Sequence, residues 1–327
     1  MHRVLITRGI FPEIVEELSK RFEVDHNAED RPWPPEELAC RLQGKHAAMP
    51  TVMDRFDEPL LAQCPDLKVI SNIAVGYNNI DVPACTKRGI RVTNTPGVLS
   101  DTTADLTWAL LMAAARRVAE GDAYVRAGDW KIAFGVSFFL GQDIHHAVLG
   151  IVGMGRIGKA IVQRARGFDM RIVYHDPVRL PQAEEERLGV TFVERDRLLA
   201  EADFVLVMVP YSPATHHLIG AAEIGRMKST AVLVNTSRGG IVDDAALVEA
   251  LGAKRIAAAG LDVFEGEPKV HPGYLELRNV VITPHIGSAS RATRLAMCRT
   301  AVANLTAVLE GREPPNPVNV VPAPAGS

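Results

Sequence analysis

A glycine-rich turn between an apolar run and a helix most constrains how this chain can fold. Val148–Val152 is an apolar, β-branched run, and Gly153, Gly155 and Gly158 follow it with the spacing G-x-G-x-x-G at the start of a helical pattern. Gly153 allows a tight turn, Gly155 lets backbone approach a pyrophosphate, and Gly158 lets the helix pack closely on the strand. Glycine spacing alone is a weak signal, but this context favours a dinucleotide-binding unit over a plain turn.

Short apolar runs rich in β-branched residues alternate with longer helical patterns from residue 147 onward. This alternation is typical of a parallel sheet with helices on both faces. The strands that we predict are Ala147–Val152, Arg171–His175, Phe204–Val209, Ala231–Asn235, Ile256–Val263 and Val280–Ile282. These six strands would complete a dinucleotide-binding sheet.

The first hundred residues repeat the same pattern on a smaller scale. The strands predicted there are Val4–Thr7, Phe22–Asp25, Ala47–Val52, Lys68–Ile73 and Arg91–Thr93. A second α/β domain is therefore expected.

Two helical patterns connect these parts of the chain. One begins at Asp101, with Ser100 or Asp101 as its cap, and leads into the second sheet. The other, Ser290–Glu310, ends at Gly311 and the prolines beyond it. Because a helix that follows a finished sheet needs a surface to pack on, we expect it to return to the N-terminal domain. The proline-rich tail, Pro317–Ser327, should be loose or lie along the surface.

The predicted fold class is α/β, with two doubly wound parallel-sheet domains. Residues 101–289 would form a Rossmann NAD(P)-binding domain, inserted in a flavodoxin-like substrate domain of residues 1–100 and 290–327. A cleft between two such domains is a common place for a small ligand.

Composition narrows the class of partner. The 327 residues carry a formal net charge of -3, which creates no strong field for nucleic acid or for a membrane surface, so small metabolites are the expected partners. No apolar leader and no membrane-spanning stretch is found. The four scattered cysteines fit a reducing compartment, and we expect a cytoplasmic protein.

The acid at the end of the strand after the glycines bears on the choice of cofactor. Asp176 lies about 20 residues beyond them, where a carboxylate commonly binds the ribose hydroxyls of NAD and repels the 2′-phosphate of NADP. NAD(H) is therefore favoured, although an ordinary acidic turn residue before Pro177 is the alternative interpretation. NADP(H) stays open because Arg179 could bind a 2′-phosphate.

Polar or reactive residues repeatedly follow the predicted strands. They are Gly153, Asp176, Pro210, Thr236, Ser237, Arg238, Asp262, Glu267 and His285. The carboxyl ends of parallel strands line the ligand crevice of an open α/β sheet, so these residues would converge although they are far apart in sequence.

Three of them have the chemistry of carbonyl reduction. Arg238 offers a fork of donors that can hold a carboxylate and polarise a keto oxygen. His285 can protonate that oxygen as a hydride arrives, and Glu267 would stabilise the charged imidazole and orient it. Taken singly, Arg238 could form a surface ion pair, Glu267 could be a solvated carboxylate and His285 could be a turn histidine. All three explanations holding at once on one sheet edge is much less expected.

Three segments that contain these residues carry a family resemblance. Val234–Asp243, Ala259–Pro268 and Thr283–Ser288 resemble the signature segments of the D-isomer-specific 2-hydroxyacid dehydrogenases, and the match extends over nearly the whole chain. The resemblance implies that Arg238 binds substrate, that Glu267 partners the histidine and that His285 is the acid/base.

The resemblance also implies a cofactor site in which Asp262 lies by the nicotinamide carboxamide. The residues expected to line this site are Thr103, Gly153, Gly155, Arg156, Ile157, Gly158, Asp176, Val209, Pro210, Thr215, Thr236, Ser237, Arg238, Asp262, His285 and Gly287.

A glycine turn in the N-terminal part, Ser71–Asp81, could use its backbone N–H groups to cradle an anion, or could be a plain turn. With Thr95–Asp105 it is similar to the substrate loop of the glyoxylate/hydroxypyruvate reductase branch, where the amides of Val75 and Gly76 would hold the substrate carboxylate. Phe139–His146 is similar to bacterial members that also reduce 2-ketogluconate.

Two features depart from that bacterial pattern. Those reductases usually carry arginine-rich residues after the second strand, where this chain has His175–Val178. Some relatives have a tryptophan where this chain has Phe138 and Phe139, which changes the expected rim of the substrate pocket. The adjacent histidine pairs, at 145–146 and 216–217, would point to opposite faces of a strand, so no metal site is expected.

These features together predict an enzyme that reduces a small 2-keto acid, such as glyoxylate, hydroxypyruvate or 2-ketogluconate, to the D-2-hydroxy acid with NAD(P)H. The alternatives are an NAD-sensing or corepressor-like binding protein, and a dehydrogenase of another small acid such as phosphoglycerate, phosphite or formate. The resemblance implies a homodimer, with Trp108–Asp143 as the interface.

Overall fold

The computed structural model of the chain describes residues 1–131, 133 and 135–321. The chain forms two compact units, one of residues 1–99 and 290–321, the other of residues 100–289. The elements of the first stretch are β1 Arg3–Ile6, α1 Pro12–Ser19, β2 Glu23–His26, α2 Pro35–Leu42, β3 Ala47–Met49, α3 Glu58–Leu61, β4 Val69–Ser71, α4 Val82–Lys87 and β5 Arg91–Thr93.

The second unit begins with two helices and continues with alternating strands and helices. Its elements are α5 Ser100–Ala115, α6 Val118–Arg126, β6 Val148–Val152, α7 Arg156–Arg166, β7 Arg171–His175, α8 Gln182–Leu188, β8 Val190–Phe192, α9 Arg195–Glu201, β9 Phe204–Val207, α10 Ala221–Arg226, β10 Val232–Asn235, α11 Asp244–Gly252, β11 Ala258–Leu261, α12 Pro272–Glu276 and β12 Val280–Ile282. The last helix, α13 Arg291–Leu309, belongs to the first unit.

The first unit is a five-stranded parallel sheet with the order β2-β1-β3-β4-β5 and helices on both faces. Helix α13 packs on β3, β4 and β5, as its position after a finished sheet predicts. Ser290 caps its N-terminus by accepting from the backbone of Thr293, and Ser71 Oγ donates to Ala301 O across 2.8 Å. The prediction of a second parallel α/β sheet in the N-terminal part of the chain is confirmed.

The segment after α13 is not loose, and its first residues lie along the first unit, which is the second of the two alternatives predicted for the tail. Val318 N donates to Val92 O over 2.8 Å, and the buried side chain of Asn319 accepts from Val92 N over 2.8 Å. These bonds attach the segment to the edge strand β5, because an edge strand has backbone groups left to pair. The remainder of the predicted tail, residues 322–327, lies outside the described residues.

The second unit is a seven-stranded parallel sheet with the order β12-β11-β10-β9-β6-β7-β8. The prediction of six strands was wrong because β8 was missed: it is only three residues long and follows directly on α8 and Gly189. The chain leaves β6 toward one edge and returns to β9 on its other side. That reversal creates a crevice at the carboxyl ends of β6 and β9, where ligands bind in open α/β sheets.

Helix α5 begins at Ser100, one residue before the predicted start at Asp101. It packs on α7, β10 and β11, within the second unit. Among the helices of the described residues, none is long and apolar enough to cross a membrane.

Candidate active site

The glycine-rich turn lies at the carboxyl end of β6. Gly153 has a φ of 101°, in the left-handed region, and a Cβ added to Gly158 would lie 2.6 Å from Gly153 O. Gly155 caps α7 without a side-chain hydrogen bond, and a Cβ there would meet nothing within 4 Å. The N–H groups of Arg156 and Ile157, in the first turn of α7, donate to no acceptor within the described residues. This arrangement fits the pyrophosphate of a dinucleotide.

Asp176, which follows β7, lies beside the glycine-rich turn and contacts its backbone. Its Oδ2 accepts from Met154 N at 2.9 Å, and its Oδ1 accepts from Val178 N at 3.0 Å. The carboxylate therefore holds the glycine-rich loop and its own loop in one arrangement. It is half-buried, so it remains open to a ligand hydroxyl on its exposed side.

Arg238 lies in the turn after β10, where Asn235 Nδ2 donates to Arg238 O over 3.0 Å. Its Nη1 donates to Ser237 O over 2.7 Å, but its Nε is buried and has no partner among the described residues. Burial lowers the pKa of this guanidinium, and the charge of Glu267 opposes that effect. A buried cation with free donors is costly unless an anion completes it, which makes Arg238 a natural carboxylate ligand.

His285 and Glu267 form a hydrogen-bonded pair. Glu267 Oε2 lies 2.6 Å from His285 Nδ1, and Glu267 Oε1 accepts from Phe264 N over 2.9 Å. Burial acts to raise the pKa of Glu267, but the hydrogen bond and charge of His285, with smaller effects of Phe264 and Arg238, leave it below its ordinary value. An ionised carboxylate can only accept, so Nδ1 carries the proton and Nε2 is left for a ligand.

Asp262, at the end of β11, holds the loop that carries His285. Its carboxylate accepts from Thr283 Oγ1 at 2.6 Å, from Ile286 N at 2.8 Å and from Gly287 N at 2.7 Å, and its carbonyl accepts from His285 N at 2.9 Å. Burial raises the pKa of Asp262, against the effect of these hydrogen bonds. His285 has a φ of 53°, which few non-glycine residues adopt, and these bonds keep it there.

Threonines of α5 lie beside the same strand ends. Thr107 Oγ1 is 2.6 Å from Thr236 Oγ1, and a Cβ on Gly287 would lie 3.5 Å from Thr103 Cγ2. Sequence reasoning missed Thr107, although its position one helical turn after Thr103 was a usable signal. Phe264, whose N–H donates to Glu267, and Thr283, whose hydroxyl donates to Asp262, were also missed, because no motif displays these contacts.

The turn after β9 contains other residues of the predicted cofactor set. Thr215 Oγ1 donates to Pro210 O over 2.8 Å and accepts from Ser212 N over 2.7 Å, while Val209 is buried. Ser237 Oγ donates to Val207 O over 3.0 Å, which connects the turn after β10 to the end of β9. The predicted residues of the second unit thus lie at the carboxyl ends of its strands.

The predicted anion cradle lies in the first unit, after β4. Asn94 Nδ2 donates to Val75 O over 2.8 Å, and Asn72 Nδ2 donates to Gly76 O over 2.9 Å. The N–H groups of Val75 and Gly76 donate to no acceptor within the described residues. Two asparagines therefore hold the carbonyls and leave the amides available to an anion.

Neither histidine pair, 145–146 or 216–217, lies on a strand, so the opposite-face geometry predicted for both is wrong. His216 and His217 lie in a turn, with their rings stacked at 3.9 Å, and their nitrogens and a Glu265 oxygen all lie within 4.8 Å of one another. Because the two rings are 24° from parallel, their in-plane lone pairs do not meet at one point. His217 Nε2 instead pairs with Glu265 Oε2 at 3.0 Å.

A dinucleotide turn, a buried guanidinium and a histidine–carboxylate pair at one sheet edge define an NAD(P)-dependent oxidoreductase. Residues 108–287 match the model of the D-isomer specific 2-hydroxyacid dehydrogenase, NAD binding domain. A glyoxylate reductase of Korarchaeum cryptofilum is 48% identical over 97% of this chain and 96% of its own length. One of Thermococcus litoralis is 46% identical, with the same coverage.

Solved structures of similar proteins support the same family assignment. A protein of Thermus thermophilus has a TM-score of 0.90 and 46% identity, over 97% of this chain and 100% of its own. The NADPH-dependent glyoxylate/hydroxypyruvate reductase of Sinorhizobium meliloti, in complex with NADP and malonate, has a TM-score of 0.86 and 33% identity, over 97% and 96%. The chain belongs to the D-isomer specific 2-hydroxyacid dehydrogenase family, and the predicted resemblance and enzyme class are confirmed.

Proposed function

We propose that this enzyme reduces glyoxylate and hydroxypyruvate, and also 2-ketogluconate, to the corresponding D-2-hydroxy acids. The observation that carries the proposal is the buried Arg238 guanidinium, whose Nε has no partner among the described residues, on the sheet edge that also holds the His285–Glu267 pair. The relatives named glyoxylate reductase support the same substrate class. Loss of NADH absorbance with each of the three keto acids tests it; cofactor binding without turnover on any of them would favour an NAD-sensing protein.

The nicotinamide cofactor supplies the hydride when it is bound. The first turn of α7, with Gly153, Gly155 and Gly158, would hold its pyrophosphate. The other residues that we assign to it are Thr103, Arg156, Ile157, Asp176, Val209, Pro210, Thr215, Thr236, Ser237, Arg238, Asp262, His285 and Gly287. Open space at Gly155 and the uncapped N–H groups of α7 support this assignment.

Arg238 binds the substrate by its carboxylate and keto oxygen. Its remaining donors form a planar fork that matches two oxygens, and its positive charge polarises the carbonyl as negative charge develops on the oxygen. We assign the free amides of Val75 and Gly76 to the substrate carboxylate as well.

His285 gives a proton from Nε2 to the keto oxygen in reduction and removes it in oxidation. Glu267 keeps Nδ1 protonated and stabilises the imidazolium, since its lowered pKa leaves it ionised throughout the neutral range. Asp262 holds the loop so that His285 keeps its orientation.

We further propose that the enzyme prefers NADH, because Asp176 would accept from the ribose hydroxyls and repel a 2′-phosphate. Asp176→Asn is expected to lower kcat/KM for NADH by about 10-fold or more, the effect of one charge-assisted hydrogen bond. Steady-state kinetics with both cofactors measure this, and the melting temperature checks that the loop stays folded. A wild-type enzyme that strongly prefers NADPH would contradict the assignment.

We propose a homodimer formed through the segment from α6 to residue 140. Apolar side chains there are exposed, including Val118, Val125, Val136 and Leu140, and Tyr124, Phe138 and Phe139 line a cavity of about 290 Å³. The charged neighbours pair among themselves, Arg117 with Glu120 and Arg126 with Asp122, so the patch carries little net charge. A second copy, with the same neutral apolar patch, is a suitable partner.

Val125→Asp is expected to convert the dimer to monomer at micromolar concentration, because it would bury an unpaired charge. Sedimentation equilibrium measures the change. Val178→Asp, at an exposed valine of the second unit outside the patch, is the matched control and should leave the assembly unchanged. A monomeric wild-type protein would contradict the proposal.

A further inference from the structure

A buried carboxylate holds the arginine that follows Asp176 on the same loop. Glu185 of α8 is 7% exposed, and its Oε1 accepts from Arg179 Nε at 2.9 Å while its Oε2 accepts from Arg179 Nη2 at 2.8 Å. Tyr174 OH donates to the same Oε1 over 2.7 Å and accepts from Leu180 N over 2.8 Å. Both carboxylate oxygens and the phenol of this small network therefore have partners.

The guanidinium of Arg179 is fixed although its side chain is 60% exposed. Two parallel hydrogen bonds set its plane, and its Cζ lies 5.4 Å from the centre of the Phe192 ring. The hydrogen bonds and charge of the pair raise the pKa of Arg179 and lower that of Glu185. The pairing orients the guanidinium toward α8, and the charge of Glu185 offsets its attraction for an anion at the Asp176 loop.

We propose that Glu185 is a positioning residue for cofactor choice: it withholds Arg179 from the 2′-phosphate of NADP(H). The inference rests on the proposed NAD(H) preference. Specificity is a difference between two affinities, and it is raised by a repulsive element as well as by a missing attraction. Asp176 supplies the repulsion, and Glu185 removes the cation that would otherwise compensate for it.

Single and paired substitutions of Asp176 and Glu185 should change the affinity for a 2′-phosphate to different extents. Asp176→Asn alone removes the repulsion but leaves Arg179 bound to Glu185, so affinity for a 2′-phosphate should rise only slightly. Combined with Glu185→Gln, it should rise further, because Arg179 is then released as well. The glutamine oxygen can still accept from Tyr174, which preserves the buried hydrogen bond.

The direct test uses adenosine 2′,5′-bisphosphate, which carries the 2′-phosphate without a nicotinamide, and adenosine 5′-monophosphate as its partner probe. Glu185→Gln is expected to raise affinity for the bisphosphate by about 10-fold, the effect of one charge-assisted hydrogen bond, and to leave the monophosphate unchanged. Isothermal titration calorimetry measures both. The gain should disappear when Arg179→Ala is added.

Glu201→Gln is the matched control for net charge. Glu201 pairs with Arg197 and with Arg171, which lies at the opposite end of β7, and its substitution should change neither affinity. Arg179→Ala in the wild-type background serves as a second variant that keeps Glu185, and it too should leave both affinities unchanged.

Three results would overturn the proposal: no gain for folded Glu185→Gln, a gain that persists without Arg179, or weaker bisphosphate binding by Arg179→Ala alone. A wild-type preference for NADPH would instead refute the assignment of Asp176. Cofactor kinetics of the wild-type enzyme and probe binding by the variants therefore separate the two failures.

Discussion

His285→Ala is expected to lower kcat for glyoxylate reduction by about 10²- to 10⁴-fold, because no other group would deliver a proton to the keto oxygen. Hydride transfer to a carbonyl leaves an alkoxide, whose charge the imidazolium neutralises in the transition state. Stopped-flow measurement of NADH oxidation gives the rate. Binding of NADH, followed by its fluorescence, should persist.

Glu267→Gln refines this prediction. The amide can still contact His285 Nδ1 but cannot stabilise the imidazolium, so kcat should fall by less than for His285→Ala and its pH profile should shift. His145→Ala is the control, since His145 is an exposed histidine of the same unit. Turnover by His285→Ala at more than about a tenth of the wild-type rate would remove His285 from the mechanism.

The second large effect is expected at Arg238. Arg238→Ala should lower kcat/KM for glyoxylate by about 10³-fold, since it removes both the carboxylate ligand and the donor that polarises the carbonyl. Arg238→Lys keeps a positive charge but loses the planar fork, so most of the loss should remain. Steady-state kinetics over a wide range of glyoxylate concentration measure both variants.

If Arg238 had only a structural role, Arg238→Ala would lower the melting temperature of the protein. Arg238 is half-buried, with its Nε buried and unpaired among the described residues, and the desolvation of such a cation opposes folding, so Arg238→Ala should not lower the melting temperature. Arg171→Ala, at an exposed arginine of β7, is the control and should leave kcat/KM unchanged. An unfolded Arg238→Ala protein, or one with wild-type kcat/KM, would contradict the assignment.

Periodicity predicted most of the fold because most strands of both sheets are buried and apolar. Arg171–His175, Val280–Ile282 and Arg91–Thr93 have the predicted bounds. The strand at Val190–Phe192 was missed because it follows directly on α8 and Gly189, so no turn segment separates its three residues from the helical pattern. The attachment of Asn319 to β5 was also missed, since a buried asparagine after prolines has no local signal.

The residues of the candidate site could be predicted from the sequence, because polar residues that follow parallel strands must meet at one edge of the sheet. The hydrogen bonds that these residues form could not be predicted. Asp262 could be placed near the nicotinamide only by resemblance, while the structure has its carboxylate accept from Thr283, Ile286 and Gly287. The sequence likewise did not indicate which carboxylate Arg179 pairs with, whereas in the structure its guanidinium donates to both oxygens of Glu185.

The sequence by itself determined the alternation of strands and helices, the dinucleotide turn, the family and the identity of Arg238, Glu267 and His285 as candidates, because these depend on local spacing and on residue chemistry. Only the tertiary structure decided which donors are satisfied and which are left free. The orphaned Nε of Arg238 and the committed guanidinium of Arg179 both belong to arginines in loops after strands. Their difference arises from the neighbours that folding brings to each guanidinium, and no linear pattern records which donors those neighbours satisfy.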